Sequence, residues 1–268
     1  MAEDELSFTR GESNWTNQLG SLRNVIRQEV IASHLAEVAH PAMTVLDVGC
    51  GQGTQLLRLA EAGCAVTGVD PSENLLALLR TASSERGLTA ETHQASLDNL
   101  TDVLGARTYD LVCAHGLLMY LPERAGAIDV LASRVTPGGV LSLTFRNGDA
   151  LAMRHGLRRN WQAAIEAFDS DTYVNELGVQ ARADHLDDIE QELAASGLTV
   201  ERWFGVRVFN DAVPAGTPTP PADELAELLA AEIEASRRDP YRHVASQTHV
   251  LARRQTHLGT RRLPPRAS

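Results

Sequence analysis

The sequence predicts an α/β protein with a doubly wound, mostly parallel sheet, and three observations carry that prediction. Residues 44–54 read Thr-Val-Leu-Asp-Val-Gly-Cys-Gly-Gln-Gly-Thr, an apolar run that breaks into three glycines at alternate positions. Leu56, Leu57, Leu59 and Ala60 then recur at helical spacing, so the segment reads as strand, tight turn and helix. Residues 43–147 go on alternating strand and helix, with strand candidates at 43–48, 65–70, 89–94, 109–115 and 139–145. Repeated βα units of this kind bury a parallel sheet between two helical layers.

The first strand and turn hold the first candidate site residues: Asp47, Gly49, Gly51 and Gly53. Glycine is needed where the backbone turns sharply or a ligand approaches it closely, and the following helix points its first N–H groups into the crevice. The spacing is D-x-G-x-G-x-G without lysine, whereas a dinucleotide fingerprint needs G-x-G-x-x-G and a phosphate loop ends in Lys-Ser or Lys-Thr. The second strand, 65–70, ends in Asp70, followed by Pro71 and a helical pattern through Leu75, Leu76, Leu78 and Leu79. An acidic residue about 20 positions past a glycine turn, at a strand's C-terminal end, can accept hydrogen bonds from ribose hydroxyls. The alternative role for Asp70 is to cap the helix that Pro71 opens.

Composition excludes several other functions. The 268 residues suit one large α/β domain with an added cover, and 43% hydrophobic residues are ordinary for such a fold. No apolar run reaches the length of a membrane span, and the acidic start Met-Ala-Glu-Asp-Glu lacks a signal peptide's pattern, so a cytoplasmic location is expected. Cys50, Cys64 and Cys113 form no C-x-x-C pair, and the nine histidines do not cluster, so neither a disulfide framework nor a metal centre is expected. All 24 basic residues are arginines, which excludes lysine Schiff-base chemistry. The net charge of −11 disfavours a broad nucleic-acid footprint but permits a local basic patch.

Around this core the chain divides into an N-terminal helical cover at 1–40, a main domain at 41–254 and a disordered tail at 255–268. In the cover, Phe8 and Trp15 precede a helix through Ile26, Val30, Ile31, Leu35 and Val38, with Arg23 and Arg27 one turn apart on what reads as a solvated face. Ser96, His115 and Asn147 fall near strand ends, where ligands bind in doubly wound sheets. Pro137-Gly138-Gly139 is a turn that introduces the fifth strand. Residues 148–200 and 211–242 read as a substrate-side cover. The first carries Arg154, His155, Arg158, Arg159 and Trp161, read as a solvated helix face, and a helix ending at Gly197. Two last strands are expected at 200–208 and 247–251, separated by a mobile Pro-rich stretch at 212–223 and an acidic helix at 223–236.

The glycine turn and Asp70 together resemble the first two motifs of the class I S-adenosylmethionine-dependent methyltransferases, which have a Rossmann-like fold. More specific stretches are Leu22-Arg23, His115, Gly-Val-Leu-Ser-Leu at 139–143, Gly-Val-Arg-Val-Phe at 205–209, Asp-Pro-Tyr at 239–241 and His249-Val250. These resemble the bacterial tRNA 5-carboxymethoxyuridine methyltransferases over residues 20–254. The resemblance implies S-adenosylmethionine as cofactor. Arg23 would meet its methionine carboxylate, Gly49 and Gly51 would pass beneath that moiety, and Asp70 would hold the ribose. Ser96 and Leu97 would border the adenine, and His115 would sit beside the sulfonium. The match departs at Arg146, where an aromatic residue is expected, and is poor over 148–185, the stretch that would select the acceptor.

The acceptor sets the chemistry. A carboxylate is ionised at neutral pH and needs a cation to orient it, a task suited to Arg207 with help from Arg154, Arg158 or Arg159, and Asn147 and His155 are further candidates on the substrate side. A hydroxyl or amine acceptor needs a base, for which His115 and His155 are candidates. Three functions are therefore expected in order: methylation of a modified tRNA uridine, methylation of a small molecule, and cofactor binding without turnover. The oligomeric state leaves no sign in the sequence.

Overall fold

The structure, a computed structural model, describes residues 20–121, 124–175 and 178–256. Phe8, Trp15 and the 257–268 part of the expected tail lie outside the described residues. Four βα units and a fifth strand form the centre: β1 (Thr44–Val48), α2 (Thr54–Glu61), β2 (Ala65–Asp70), α3 (Glu73–Glu85), β3 (Ala90–Gln94), α4 (Leu100–Leu104), β4 (Tyr109–His115), α5 (Arg124–Ser133) and β5 (Val135–Arg146). The cover and final strands are α6 (Leu151–Leu157), α7 (Trp161–Ala167), the ribbon β6 (Thr172–Val174) and β7 (Gln180–Arg182), α8 (Leu186–Ala195), β8 (Leu198–Val206), α9 (Ala222–Ala235) and β9 (Gln247–Arg254). Helix α1 (Leu22–Leu35) precedes them all.

The seven-stranded sheet has the order β3-β2-β1-β4-β5-β9-β8, with β3 through β5 parallel and β9 antiparallel to both neighbours. This is the doubly wound, mostly parallel sheet that the βα pattern implied, in the Rossmann-like form that the resemblance to class I methyltransferases implied. Strand direction in the sequence reverses its spatial course between β1 and β4, which opens a crevice above their C-terminal ends. Side chains alternate between two cores: Leu46, Val48, Val112 and Ala114 face one, while Val45, Leu111 and Cys113 face the other. Helices α4, α5 and α8 cover the first core; α1, α2 and α3 cover the second. In α1 the expected stripe Ile26, Val30, Ile31 and Leu35 is buried, and four such side chains stabilise the fold by up to about 6–12 kcal/mol.

Several expectations need correction. Arg23 and Arg27 are buried, not on a solvated helix face, because α1 lies against the sheet with both of its apolar and basic sides covered. Strand β5 starts at Val135, before the Pro-Gly-Gly turn, because Val135 pairs with Tyr109 across an irregularity in register. Strand β8 ends at Val206, since Arg207 adopts the left-handed region with φ 62° and leaves the sheet. The Pro-rich stretch is anchored: Thr217 accepts a hydrogen bond from Leu22 N–H at 2.8 Å, and Arg158 donates to the carbonyls of Ala212 and Val213 at 2.9 and 2.7 Å. Among the described residues no helix is long and apolar enough to cross a membrane.

Candidate functional site

A cavity of about 260 Å³ lies over the C-terminal ends of the parallel strands. Its floor is the glycine turn after β1. Gly49, Gly51 and Gly53 have φ of 74°, 54° and 82°, a region that costs a residue with a Cβ free energy. Gly53 serves packing instead of the cavity. A Cβ there would come within 2.7 Å of Leu79 Cγ, so the glycine lets α2 approach α3, and it does not line the cavity.

Asp70, Pro71 and Asp47 do line the cavity. Asp70 accepts from Gly51 N–H at 2.8 Å and Ser72 N–H at 2.9 Å, so it braces the turn from the neighbouring strand. The alternative that Asp70 caps α3 is overturned: the cap is Ser72, whose Oγ accepts from Leu75 N–H at 3.2 Å. Asp47 is fully enclosed, and burial together with the Asp70 charge raises its pKa from 3.8 to about 7.

The other end of the sheet is basic. Arg146 ends β5, Arg207 follows β8, Arg23 opens α1 and Arg154 projects from α6; all four line the cavity. They converge on one carboxylate, Asp211. Arg154 binds it through two donors, Nε at 2.7 Å and Nη2 at 2.8 Å. Arg23 and Arg207 reach Oδ1 at 3.3 Å, and Arg146 reaches Oδ2 at 3.4 Å. Side-chain exposures of 4–11% keep the group out of bulk water. Burial would raise the Asp211 pKa, but the surrounding guanidinium charges, Arg207 foremost, hold it well below the usual carboxylate range. Burial pulls Arg207 down to about 9 and lowers Arg146 as well, against the pull of Asp211. Arg146 also lies over the Tyr173 ring, 5.3 Å from its centroid.

The loop that presents Arg207 and Asp211 is held by a buried carboxylate behind it. Glu232 on α9 accepts the backbone N–H groups of Val208, Phe209 and Asn210 at 2.8, 3.0 and 3.1 Å, and Asn210 Nδ2 at 2.9 Å. A charge on those N–H groups makes the left-handed turn at Arg207 tolerable.

His115 ends β4 between the acidic and basic halves and lines the cavity. Its Nε2 contacts Ser142 Oγ at 2.9 Å, while Nδ1 has no hydrogen-bond partner among the described residues. Burial, with Arg27 nearby, lowers its pKa to about 3, so the ring is neutral.

Besides Gly53, four expected site residues do not reach the cavity. Ser96 donates its N–H to Asn99 Oδ1 at 2.8 Å, and Leu97 packs against the first core. Asn147 spends its amide on the carbonyls of His243 and Ala245, both at 3.0 Å, and accepts from Asp149 N–H at 3.1 Å. His155 sits on α6 away from the lining. Conversely, Arg154 is no solvated residue, and Arg27, Arg146, Asp211, Tyr120, Tyr173 and Gln247 belong to the site without having been singled out for it. Among the described residues no group of three His, Cys, Asp or Glu could hold a metal ion.

Comparison with known proteins agrees with this geometry. A family described as the methyltransferase domain matches residues 45–139, the span from β1 into β5. The chain is 28% identical over 244 residues to the tRNA 5-carboxymethoxyuridine methyltransferase of Escherichia coli K12, covering 88% of this chain and 89% of that one. It is 30% identical over 167 residues to a ubiquinone biosynthesis O-methyltransferase of Aromatoleum aromaticum, covering 60% and 66%. Its fold matches magnesium protoporphyrin IX methyltransferase of Synechocystis PCC 6803, solved with bound SAH, at a TM-score of 0.60 and 19% identity, over 94% of this chain and 100% of that one. The glycine turn, the braced acidic residue on the next strand and these matches have one explanation: the chain is a class I S-adenosylmethionine-dependent methyltransferase.

Proposed function

We propose that the chain methylates a carboxylate, and that its acceptor is a 5-carboxymethoxyuridine in tRNA. One observation carries the reading: four buried guanidinium groups share a single carboxylate at the mouth of the cofactor crevice. Four guanidinium groups gathered on one carboxylate make this end of the cavity basic, which suits anionic ligands. S-adenosylmethionine, when bound, supplies a methyl group on a sulfonium for in-line displacement.

The residues lining the cavity fit that group: Asp70 would accept from the ribose hydroxyls, the turn at Asp47, Gly49 and Gly51 with Pro71 would hold the cofactor, and Arg23 would pair with its carboxylate. Arg207 then orients the acceptor carboxylate through a planar two-donor contact, assisted by Arg154 and Arg146. Positioning does most of the work, because the acceptor is ionised before it binds. His115, held near 3, is too weak a base to take a proton from a hydroxyl or amine at neutral pH. Asp47, held near 7, stands with Asp70 at the β1–β2 end, away from the arginines along the strand order. The relative in E. coli, whose name specifies the carboxymethoxyuridine, supports the same acceptor. Residues 148–200 and 211–242 are then the acceptor-side cover of a 41–254 domain behind the 1–40 segment, in a cytoplasmic enzyme.

A second reading keeps the cofactor and takes a small apolar acceptor. It is favoured by the exposed side chains of Leu157, Trp161, Ile165 and Phe168, which are 62–76% exposed on the α6–α7 cover. Transfer of labelled methyl separates the two, using bulk tRNA that carries carboxymethoxyuridine and a small-molecule extract of the native host. Alkali-labile label in tRNA supports the ester on the wobble base. Label in the small-molecule pool alone rejects it.

A further inference from the structure

Behind His115 runs a buried chain of side-chain contacts that the methyl-transfer reading does not use. His115 Nε2 lies 2.9 Å from Ser142 Oγ, and Ser142 Oγ lies 2.7 Å from His249 Nε2. His249 Nδ1 lies 3.0 Å from His34 Nδ1, and His34 Nε2 lies 2.9 Å from Ser236 Oγ. Ser236 Oγ ends the chain 2.7 Å from the carbonyl of Ile233. The links come from α1, β4, β5, β9 and the end of α9, and Ser142, His249, His34 and Ser236 are fully enclosed. Burial pushes His34 and His115 down to about 3 and His249 well below its usual range, so each ring carries a single N–H.

The last contact gives the chain a direction. A carbonyl only accepts, so the Ser236 hydroxyl donates to Ile233 and its oxygen accepts from His34 Nε2–H. His34 Nδ1 is then a lone pair, and the facing atom, His249 Nδ1, must bear the hydrogen. His249 Nε2 is therefore a lone pair that accepts the Ser142 hydroxyl proton. Ser142 accepts from His115 Nε2–H, which leaves the lone pair of His115 on Nδ1. The Cys113 thiol beside Ser142 is kept protonated by burial and does not compete for that role. Reversing the chain would break the Ser236–Ile233 bond and leave an N–H on the partnerless Nδ1.

We propose that Ser142, His249 and His34 are positioning residues that hold His115 with its lone pair on Nδ1, as an acceptor for an N–H of the cofactor's ammonium group. The inference rests on the reading that the cavity binds S-adenosylmethionine with its methionine moiety beside His115. An ammonium has donors only, so a ring presenting N–H at that point would repel it, whereas the fixed lone pair accepts it. The same lone pair repels a carboxylate, and this keeps the anionic ends of both ligands on the arginine side of the cavity.

The test is nitrogen-15 NMR of the histidine side chains in the full-length protein, using long-range proton–nitrogen correlations, with and without S-adenosylhomocysteine. The expected result is a protonated Nε2 and an unprotonated Nδ1 on His115, the opposite tautomer on His249, and a shift of the His115 Nδ1 signal when S-adenosylhomocysteine binds. Ser142→Ala should release His115 into a mixture of tautomers and weaken S-adenosylhomocysteine by about fivefold, the effect of one hydrogen bond. Ser142→Thr, which keeps the hydroxyl, should restore both. A protonated Nδ1 in the wild type, or a tautomer unchanged in Ser142→Ala, overturns the inference. Calorimetric binding with an unmoved Nδ1 signal also overturns it and leaves the function standing. Absence of binding by the wild type overturns the functional reading itself.

Discussion

Asp211→Asn isolates the charge of the arginine cluster from its shape. The substitution keeps the side chain's size and one acceptor oxygen but removes the carboxylate charge that the four guanidinium groups share. Asp211 and its partners are only 4–11% exposed, so little solvent screening is available. Removing one member of a buried ion pair costs about 3–5 kcal/mol, because the partner's charge stays buried and uncompensated. For a chain of this size each kcal/mol lowers Tm by about 2–4 °C, so the variant should melt about 10 °C below the wild type. The pH dependence has a definite sign. The folded pKa of Asp211 is depressed, so its stabilisation is present above the unfolded value and lost as pH falls through the folded one. The gap between wild type and variant should therefore be constant near neutrality and close below about pH 4, where the unfolded carboxylate protonates. Sulfate or formate should raise the variant's Tm more than the wild type's, by filling the vacated counter-charge. Differential scanning calorimetry across pH and anion concentration reads all three. A variant that melts within about 2 °C of the wild type and ignores anions would refute the claim that the cluster is a charged site seeking anions.

Three further outcomes are expected. Arg207→Ala should raise KM for the methyl acceptor by about tenfold or more, the value of a charged hydrogen-bonded contact, with KM for the cofactor little changed; steady-state kinetics with a rise confined to the cofactor would count against its role. Asp70→Ala should weaken S-adenosylhomocysteine by about 10²-fold or more, because the ribose hydroxyls lose a charged acceptor and the turn at Gly51 loses its brace; unchanged affinity in calorimetry refutes that assignment. The folded pKa of Asp47 is raised from 3.8 to about 7, so it stabilises the fold below its unfolded value and that contribution is lost as pH rises towards 7. Asp47→Asn should therefore flatten the fall in stability between about pH 4 and pH 7, on the order of 4 kcal/mol in wild type, seen by chemical denaturation at several pH values.

The parts of the site that were legible in the sequence are local. The glycine turn and Asp70 lie within one βαβ unit, where strand ends, turn residues and helix starts follow from neighbours a few positions away. Strand-end position alone proved insufficient. Asn147 ends its strand as expected, yet two carbonyls a hundred residues away consume its amide. Ser96 is tied to Asn99 in its own loop. Asp211 left no signal because Arg23, Arg146 and Arg154 lie 57 to 188 positions away, and an Asp four residues past Arg207 looks like any loop residue. Arg146 looked like a departure from a family pattern and is a member of the cluster. His34 did carry a readable signal: it falls on the apolar stripe of α1 between Ile31 and Leu35, where a polar residue needs a buried partner. The partner, His249, could not be named without the fold.

The charge of the whole chain and the charge of its cavity point in opposite directions, and distance decides which one matters. A net charge of −11 would repel an anionic acceptor at long range, but physiological salt screens exposed charges beyond about 8 Å. At the basic end of the cavity the nearest charges are the four arginines, at low exposure, where screening fails. The overall charge therefore slows encounter, and the cavity charge sets which group is held once encounter has occurred. Along the strand order the cavity runs from Asp70 and Asp47 through a neutral His115 to Arg146 and Arg207. On the proposed reading, that gradient would orient a ligand pair in one sense: hydroxyl donors at the acidic end, carboxylates at the basic end, and the reacting atoms between them over β4. On the proposed reading, an acceptor carboxylate brings a negative charge to the basic end that a phenol or an amine would not, and this is the physical ground for proposing it.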